Sequence, residues 1–333
     1  MPDLTKKPEG VFEHSVTLNR ARCKGCTHCI KRCPTEAIRI RAGKAKIIAE
    51  RCIDCGECIR VCPYHAKQAV IDHLDVMENY KYNIALPAPS LYGQFNNLDD
   101  VDIILNALLA IGFDEVFEVA KAAEIISDAT REYLNRPGIQ KPVISSACPS
   151  VLRLLRVRFP ELLPHLLPYN APVELAARLA KREAVKKTGL PPEEIGIIFI
   201  SPCPAKMTAA TRPVGINKSE ISAVVAIRDV YPVLVSAMEK LAFTEKMAST
   251  GRMGIGWGAS GGEASAVLKD RYLAADGMEN IINALEDMEN DKFQELDFVE
   301  LMACPGGCVG GVLTVENPHI AKAKLKRISK YMP

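Results

Sequence analysis

The sequence predicts two parts of different class: a small α+β segment built around cysteine loops over residues 1–80, and a larger α/β domain with largely parallel strands over residues 81–333. Three observations lead there. Eight of the twelve cysteines crowd between Cys23 and Cys62. From about Tyr82 onward, apolar strand-like runs alternate with amphipathic helical stretches. The four remaining cysteines all fall in or beside loops containing Pro or Gly.

At 333 residues and 48% hydrophobic, the chain has material for two or three domains with proper cores. Its formal net charge is only +2, and no basic run is interleaved with aromatics, so the attraction needed for nucleic acid or anionic lipid is missing. Neither nucleic acid nor membrane is an expected partner. The N-terminus lacks an apolar signal core, and the greasiest later stretch, Ile103 to Phe113, is interrupted by Asn106 and too short to span a bilayer. The expected location is the cytoplasm, where thiols stay reduced. Clustered cysteines there read as metal ligands rather than disulfides.

Residues 23–34 read Cys-Lys-Gly-Cys-Thr-His-Cys-Ile-Lys-Arg-Cys-Pro, and residues 52–63 read Cys-Ile-Asp-Cys-Gly-Glu-Cys-Ile-Arg-Val-Cys-Pro. Each copy of this repeat is the C-x2-C-x2-C-x3-C-P run of bacterial two-cluster ferredoxins, in which the fourth cysteine of one run ligates the cluster held by the other. Cross-ligation assigns Cys23, Cys26, Cys29 and Cys62 to one 4Fe-4S cluster, and Cys33, Cys52, Cys55 and Cys58 to a second. Small loop residues, Gly25 and Gly56 among them, let thiolates gather on a tight curve, and Pro34 and Pro63 turn the chain away. Structural zinc is the plainer alternative, but it uses one or two C-x2-C pairs rather than two complete runs. Between the runs, the alternation of Ala37 to Arg41, the Ala42-Gly43 pair and Lys46 to Ala49 suggest a hairpin. His28 and His65 lie beside cluster cysteines; each reads either as a solvated surface residue or as a donor to sulfur.

In the larger part, strands are expected at Asn83 to Leu86, Pro142 to Ser145 and Ile195 to Ile200. Helices are expected at Val101 to Ile111, Pro149 to Arg158, Val173 to Thr188 and Val230 to Ala242. Prolines 160, 164, 168, 191 and 192 mark loops. Cys148, Cys203, Cys304 and Cys308 occupy three loops, two of them directly after expected strands, where open α/β sheets place ligand chemistry. Taken singly such thiols are ordinary buried residues. Four together, downstream of eight ligands, point to one more cubane.

These three loops, Ser146-Ala147-Cys148-Pro149, Ser201-Pro202-Cys203-Pro204-Ala205-Lys206 and Met302 to Cys308, resemble the signature segments of the FeFe hydrogenases. The likeness runs over nearly the whole chain, including Gly112 to Phe117, Arg153 to Pro164 and Gly258 to Gly262. It implies a ferredoxin-like domain followed by an FeFe-hydrogenase large-subunit domain. By the same resemblance, Cys148, Cys203, Cys304 and Cys308 hold the cubane of an H-cluster, and Cys308 bridges to a diiron unit bearing CO and CN, installed by dedicated maturation factors. Lys206 then donates to one cyanide, Pro89 and Ser90 meet the other, and Met302 packs near the diiron unit. Gly306 and Gly307 let backbone approach the cluster.

The chain departs from the family's catalytic members at positions around that site. Ala147 stands where a proton-relaying cysteine is usual, Ser201 where a methionine is usual, Ala209 where a glutamate pairs with the loop lysine, and Ala171-Pro172-Val173 where Ser-Pro-Gln is usual. The relay glutamates near Ala129 to Tyr133 are replaced too, with Glu132 one residue out of register. Glu263 and Glu300 are candidates for another proton path, each readable equally as a surface carboxylate. Such a pattern resembles sensory hydrogenases that bind hydrogen or turn over slowly. Hydrogen, protons and a ferredoxin are the expected partners, or else a signalling partner or a further domain after the helix-like tail, Ala321 to Tyr331. The competing expectation is a non-catalytic iron–sulfur carrier related to hydrogenases.

Overall fold

The structure, a computed structural model, describes residues 14–96, 98–330 and 332. The opening stretch read for a leader lies outside the described residues. The first part comprises β1 (Val16–Leu18), α1 (His28–Lys31), β2 (Ile38–Arg41), β3 (Lys44–Ile47), α2 (Glu57–Arg60) and β4 (Lys67–Ala69). β1 pairs antiparallel with β4, and β2 with β3 forms the expected hairpin, Ile38 opposite Ile47 and Arg41 opposite Lys44. Two-residue periodicity sends Ile38 and Ala45 into a small core with Cys23 and Cys29 and leaves the hairpin's cations on the outer face.

The larger part runs through β5 (Tyr82–Pro87), α3 (Asp102–Ala110), β6 (Glu115–Val116), α4 (Val119–Leu134), β7 (Val143–Ile144), α5 (Pro149–Arg158), α6 (Pro172–Thr188), β8 (Ile195–Ser201), α7 (Pro204–Thr211) and β9 (Ala223–Ala226). It continues with α8 (Ile227–Met238), α9 (Arg252–Gly256), α10 (Gly262–Ala266), β10 (Tyr272–Asp276), α11 (Met278–Glu289), β11 (Phe298–Met302) and α12 (Pro318–Ser329). The strands make two parallel sheets, ordered β6-β5-β8-β9 and β10-β11-β7.

β8 is buried along its whole length, which is why its sequence is continuously apolar rather than alternating. Ile197 and Phe199 pack toward α4 and α6, whereas Ile198 and Ile200 pack toward α3, α8 and α12. Each such side chain contributes roughly 1.5–3 kcal/mol by leaving water. A second core, between α5, α11 and the β11 sheet, also takes in Ile53 and Cys55 from the first part. That shared core, together with the Arg60 guanidinium donating to the Gly310 carbonyl at 2.7 Å, joins the cysteine-rich segment to the larger domain.

Two expectations need correction. α8 begins at Ile227 and ends at Met238 rather than spanning Val230 to Ala242, because β9 delivers Ile227 straight into the first sheet's core, where it is fully buried. α4, a long helix of good helix formers, is absent from the sequence reading altogether. α12 starts three residues before the expected tail and ends at Ser329, Tyr331 lying outside the described residues, and the Asn317 side chain accepts from the His319 amide at its N-terminus. No helix among the described residues is long and apolar enough to cross a membrane.

Candidate metal centre

Carboxyl ends of strands from both sheets face one cavity of about 90 Å³. Cys148 follows β7 and immediately precedes α5; Cys203 follows β8 and immediately precedes α7; Cys304 follows β11, and Cys308 opens a short 3-10 turn. All four line the cavity. Burial pushes the Cys203 thiol up to about 11, with the neighbouring Cys148 adding to the shift. Burial followed by Cys203 and Cys148 pushes Cys308 up to about 12, and burial followed by Cys203 and Cys308 raises Cys304 well above its ordinary value. Four crowded, desolvated thiols make a poor apolar core and a good seat for cationic metal, which removes their protons outright.

The sequence-paired sets of four line two smaller cavities in the first part. Cys33, Cys52, Cys55 and Cys58 surround one, and Cys23, Cys26, Cys29 and Cys62 the other. Backbone amides donate to sulfur in both: Ala37 to Cys33 at 3.2 Å and Ala66 to Cys62 at 3.3 Å. Cys55 lines the central cavity as well, so the inner set adjoins the third site and the outer set lies farther along the chain of cavities. His28 and His65 are exposed.

Around the central cavity, Lys206 is fixed by donating from Nζ to the Ala147 carbonyl at 3.0 Å. Pro89, Ser90, Ala147 and Met302 also line it. The Ser90 hydroxyl is buried without a hydrogen-bond partner among the described residues, an anomaly that a bound acceptor would remove. Gly307 has φ of 94°, and a Cβ there would lie 2.8 Å from the Met302 sulfur and 2.4 Å from the Ser260 nitrogen, so only glycine fits. Ser201 is not among the lining residues; its hydroxyl donates to the Cys203 carbonyl and shapes the loop instead. Glu132 is exposed and pairs with Arg136 on the surface of α4, away from the cavity.

Glu263 and Glu300 are not surface carboxylates: each is buried almost completely. Glu263 lines the cavity and accepts from the Ser145 hydroxyl at 2.6 Å. Burial, reinforced by the charge of Glu300, pushes its carboxyl up to about 8. Glu300 lies behind it, accepting from the Gly261 and Ala264 amides at 2.8 and 2.7 Å, and burial raises it to about 7. Gly261, whose amide donates to Glu300, borders a surface groove of about 660 Å³.

Sequence reasoning missed Ser145 and a second polar cluster. The Asp54 carboxylate, between Cys52 and Cys55, accepts from the Arg153 guanidinium of α5, the Thr208 hydroxyl of α7 and the Ser15 amide, at 2.7, 2.7 and 2.9 Å. Nothing local in the sequence announces this meeting, since its other members lie 39 to 154 residues from Asp54.

A thiol-rich cavity at the strand ends of two parallel sheets, joined to a ferredoxin-like segment, defines an iron–sulfur protein with a hydrogenase-like α/β domain. The chain belongs to the iron-only hydrogenase large-subunit family, whose C-terminal domain matches residues 81–274 and 269–312. A 4Fe-4S dicluster domain matches residues 15–63. Iron hydrogenase 1 of Clostridium pasteurianum is 26% identical over 404 residues, covering 98% of this chain and 69% of that protein. The Caenorhabditis elegans protein oxy-4, named as a cytosolic Fe-S cluster assembly factor, is 22% identical over 278 residues, covering 68% of this chain and 61% of its own. Among solved structures, FeFe-hydrogenase HydA1 from Chlamydomonas reinhardtii shares the fold with a TM-score of 0.58 at 18% identity, over 74% of this chain and 84% of that one.

Proposed function

We propose that the chain is a sensory-type FeFe hydrogenase of the cytoplasm, splitting hydrogen reversibly and slowly at an H-cluster in residues 81–333. In residues 1–80, Cys23, Cys26, Cys29 and Cys62 would hold one 4Fe-4S cluster and Cys33, Cys52, Cys55 and Cys58 a second, which would supply electron transfer. The carrying observation is the cavity where Cys148, Cys203, Cys304 and Cys308 meet beside Lys206 and the partnerless hydroxyl of Ser90. Four thiolates suit an iron cubane, and an idle buried hydroxyl beside an ammonium suits anionic ligands such as cyanide.

When bound, an iron–sulfur cubane held by Cys148, Cys203, Cys304 and Cys308 with a diiron unit beside it would supply the hydrogen chemistry. The chain's residues hold and position. Lys206, anchored on the Ala147 carbonyl, presents positive charge to the cavity, and Met302 and Trp257 help close its wall. Ala147 carries no exchangeable proton, so proton traffic falls to Glu263, whose raised affinity lets it hold a proton near neutral pH at the carboxyl facing Ser145. Glu300 then connects Glu263 to the groove beside Gly261. A route of two buried acids without a flexible thiol fits slow turnover better than fast.

The match to an assembly factor favours a second reading, a cluster carrier that never takes a diiron unit. Infrared spectroscopy decides between them. After maturation, CO and CN bands that change under hydrogen are expected; absence of such bands in protein with all its cubane iron leaves only the carrier.

A further inference from the structure

Lysine is almost never fully buried unless it is paired, because an ammonium taken out of water costs free energy until something anionic meets it. Lys67 breaks that rule. It opens β4 opposite Leu18 of β1, and the two-residue alternation of the strand turns it inward while Gln68 faces solvent. Only 2% of it is exposed, and its Nζ is buried without a hydrogen-bond partner among the described residues. Leu18, Ile40, Ala45 and Ala66 line the same cavity, so an apolar side chain at 67 would serve folding better. A lysine that merely blunts a sheet edge keeps its ammonium in water, as its long stem allows. This one does not.

The neighbouring thiols supply a reason. Lys67 lines the cavity of Cys23, Cys26, Cys29 and Cys62. Its charge also reaches the other set of four. Burial pushes the Cys58 thiol up to about 12, and Lys67 is foremost among the influences opposing that rise. At Cys29, which burial also raises, Lys67 again leads the opposition. One ammonium therefore acts on a cysteine of each set. A 4Fe-4S cluster on four thiolates is an anion and gains negative charge on reduction, so its net charge and surroundings set its potential.

We propose that Lys67 is the shared, buried counter-charge of the two cysteine sets in residues 1–80, a positioning residue that favours the reduced clusters and so raises their reduction potentials. This rests on the reading that both sets hold 4Fe-4S clusters. Burial strengthens the effect, since a charge removed from water acts through a lower dielectric. Lys24 lines the same cavity but is exposed, so water and salt screen it. The consequence is directional. Electrons released at the central cavity are drawn toward residues 1–80, the direction that hydrogen uptake requires.

The test is an EPR-monitored redox titration of the full chain loaded with its cubanes, with iron counted in every sample. Lys67→Met keeps the length of the side chain and removes its charge. At a fixed potential its ratio of reduced to oxidised cluster is expected to fall about tenfold, a downward shift of about 59 mV for a one-electron couple. The fall persists at high salt, because the charge is buried. Lys67→Arg stays close to the parent, and Lys24→Met moves little and only at low salt. Should methionine cost iron, Lys67→Gln repeats the measurement with the same fall expected. Full iron with unchanged potentials in the uncharged variant overturns the proposal. So does a Lys67→Arg protein shifted as far as Lys67→Met, which assigns the effect to packing. Cys26→Ser and Cys58→Ser separate this idea from the reading beneath it. If each removes an EPR signal while Lys67→Met changes nothing, only the role of Lys67 fails; if neither removes a signal, the cluster reading fails with it.

Discussion

Arg153 donates to Asp54 at 2.7 Å with both side chains buried, tying the loop of Cys52 and Cys55 to the helix that starts just after Cys148. Thr208, on the helix that follows Cys203, shares the same carboxylate oxygen. One carboxylate thus registers the inner cysteine set against two loops of the central cavity. Burial raises the Asp54 pKa, opposed first by Arg153, so the ion pair is what keeps a charge tolerable there.

Removing one partner should therefore be worse than removing both. Asp54→Ala strands a buried guanidinium and is expected to cost about 3–5 kcal/mol, whereas Asp54→Asn combined with Arg153→Met should cost clearly less. Thermal unfolding of the cluster-loaded variants measures this. A double variant as unstable as the sum of the singles would mean that the two residues do not act as a pair.

The three cysteine sets should lose iron independently. Cys304→Ser is expected to lower bound iron by about a third, leaving the absorption of the other two clusters, and Cys26→Ser to do the same at the outer site. Iron and sulfide analysis on each purified variant reads the result. Loss of all iron from either substitution would show one cooperative assembly in place of three sites.

Much of this was legible because its signals are local. Two complete cysteine runs point to the groups of four that line the two smaller cavities, and the sequence Ala42-Gly43 between alternating segments gives the β2–β3 hairpin its register. The cysteine loops after β7 and β8 were also readable, since continuous apolar strands end in Pro-bounded cysteines. What stayed hidden depends on distant partners. Glu263 and Glu300 look like ordinary acids in sequence; burial and the amides of Gly261 and Ala264 distinguish them. The net charge concealed the basic hairpin, because charge averages over a chain while fields act over about 10 Å.

Glu263 should make stability depend on pH in a particular direction. Its carboxyl is raised from the ordinary glutamate value of 4.5 to about 8, so the folded state binds the proton more tightly than the unfolded chain does. Between those values the native state holds more protons, and stability falls as pH rises. Glu263→Gln, which cannot ionise, is expected to flatten that decline by on the order of 2 kcal/mol between pH 5 and 9, as read from unfolding midpoints at each pH. An equally steep decline in the variant would move the responsible group elsewhere, with Glu300 the next to replace.

Ala147 offers the sharpest test of why turnover should be slow. It lines the cavity beside Lys206, and its carbonyl already anchors that lysine, so a longer side chain at this position leaves the backbone contact intact. Ala147→Cys adds a thiol able to exchange protons within the cavity, and a positioned acid or base contributes typically 10²–10⁴-fold. Hydrogen evolution by the matured variant is expected to rise about tenfold or more, with its CO and CN infrared bands retained. The gain should persist when Glu263→Gln is added, because the thiol supplies a separate first step; Ala147→Ser, a far weaker acid, should give little of it. If Ala147→Cys keeps the infrared signature and turns over no faster than the parent, proton delivery is not what limits this protein, and the rate is set by electron transfer through the cysteine-rich domain.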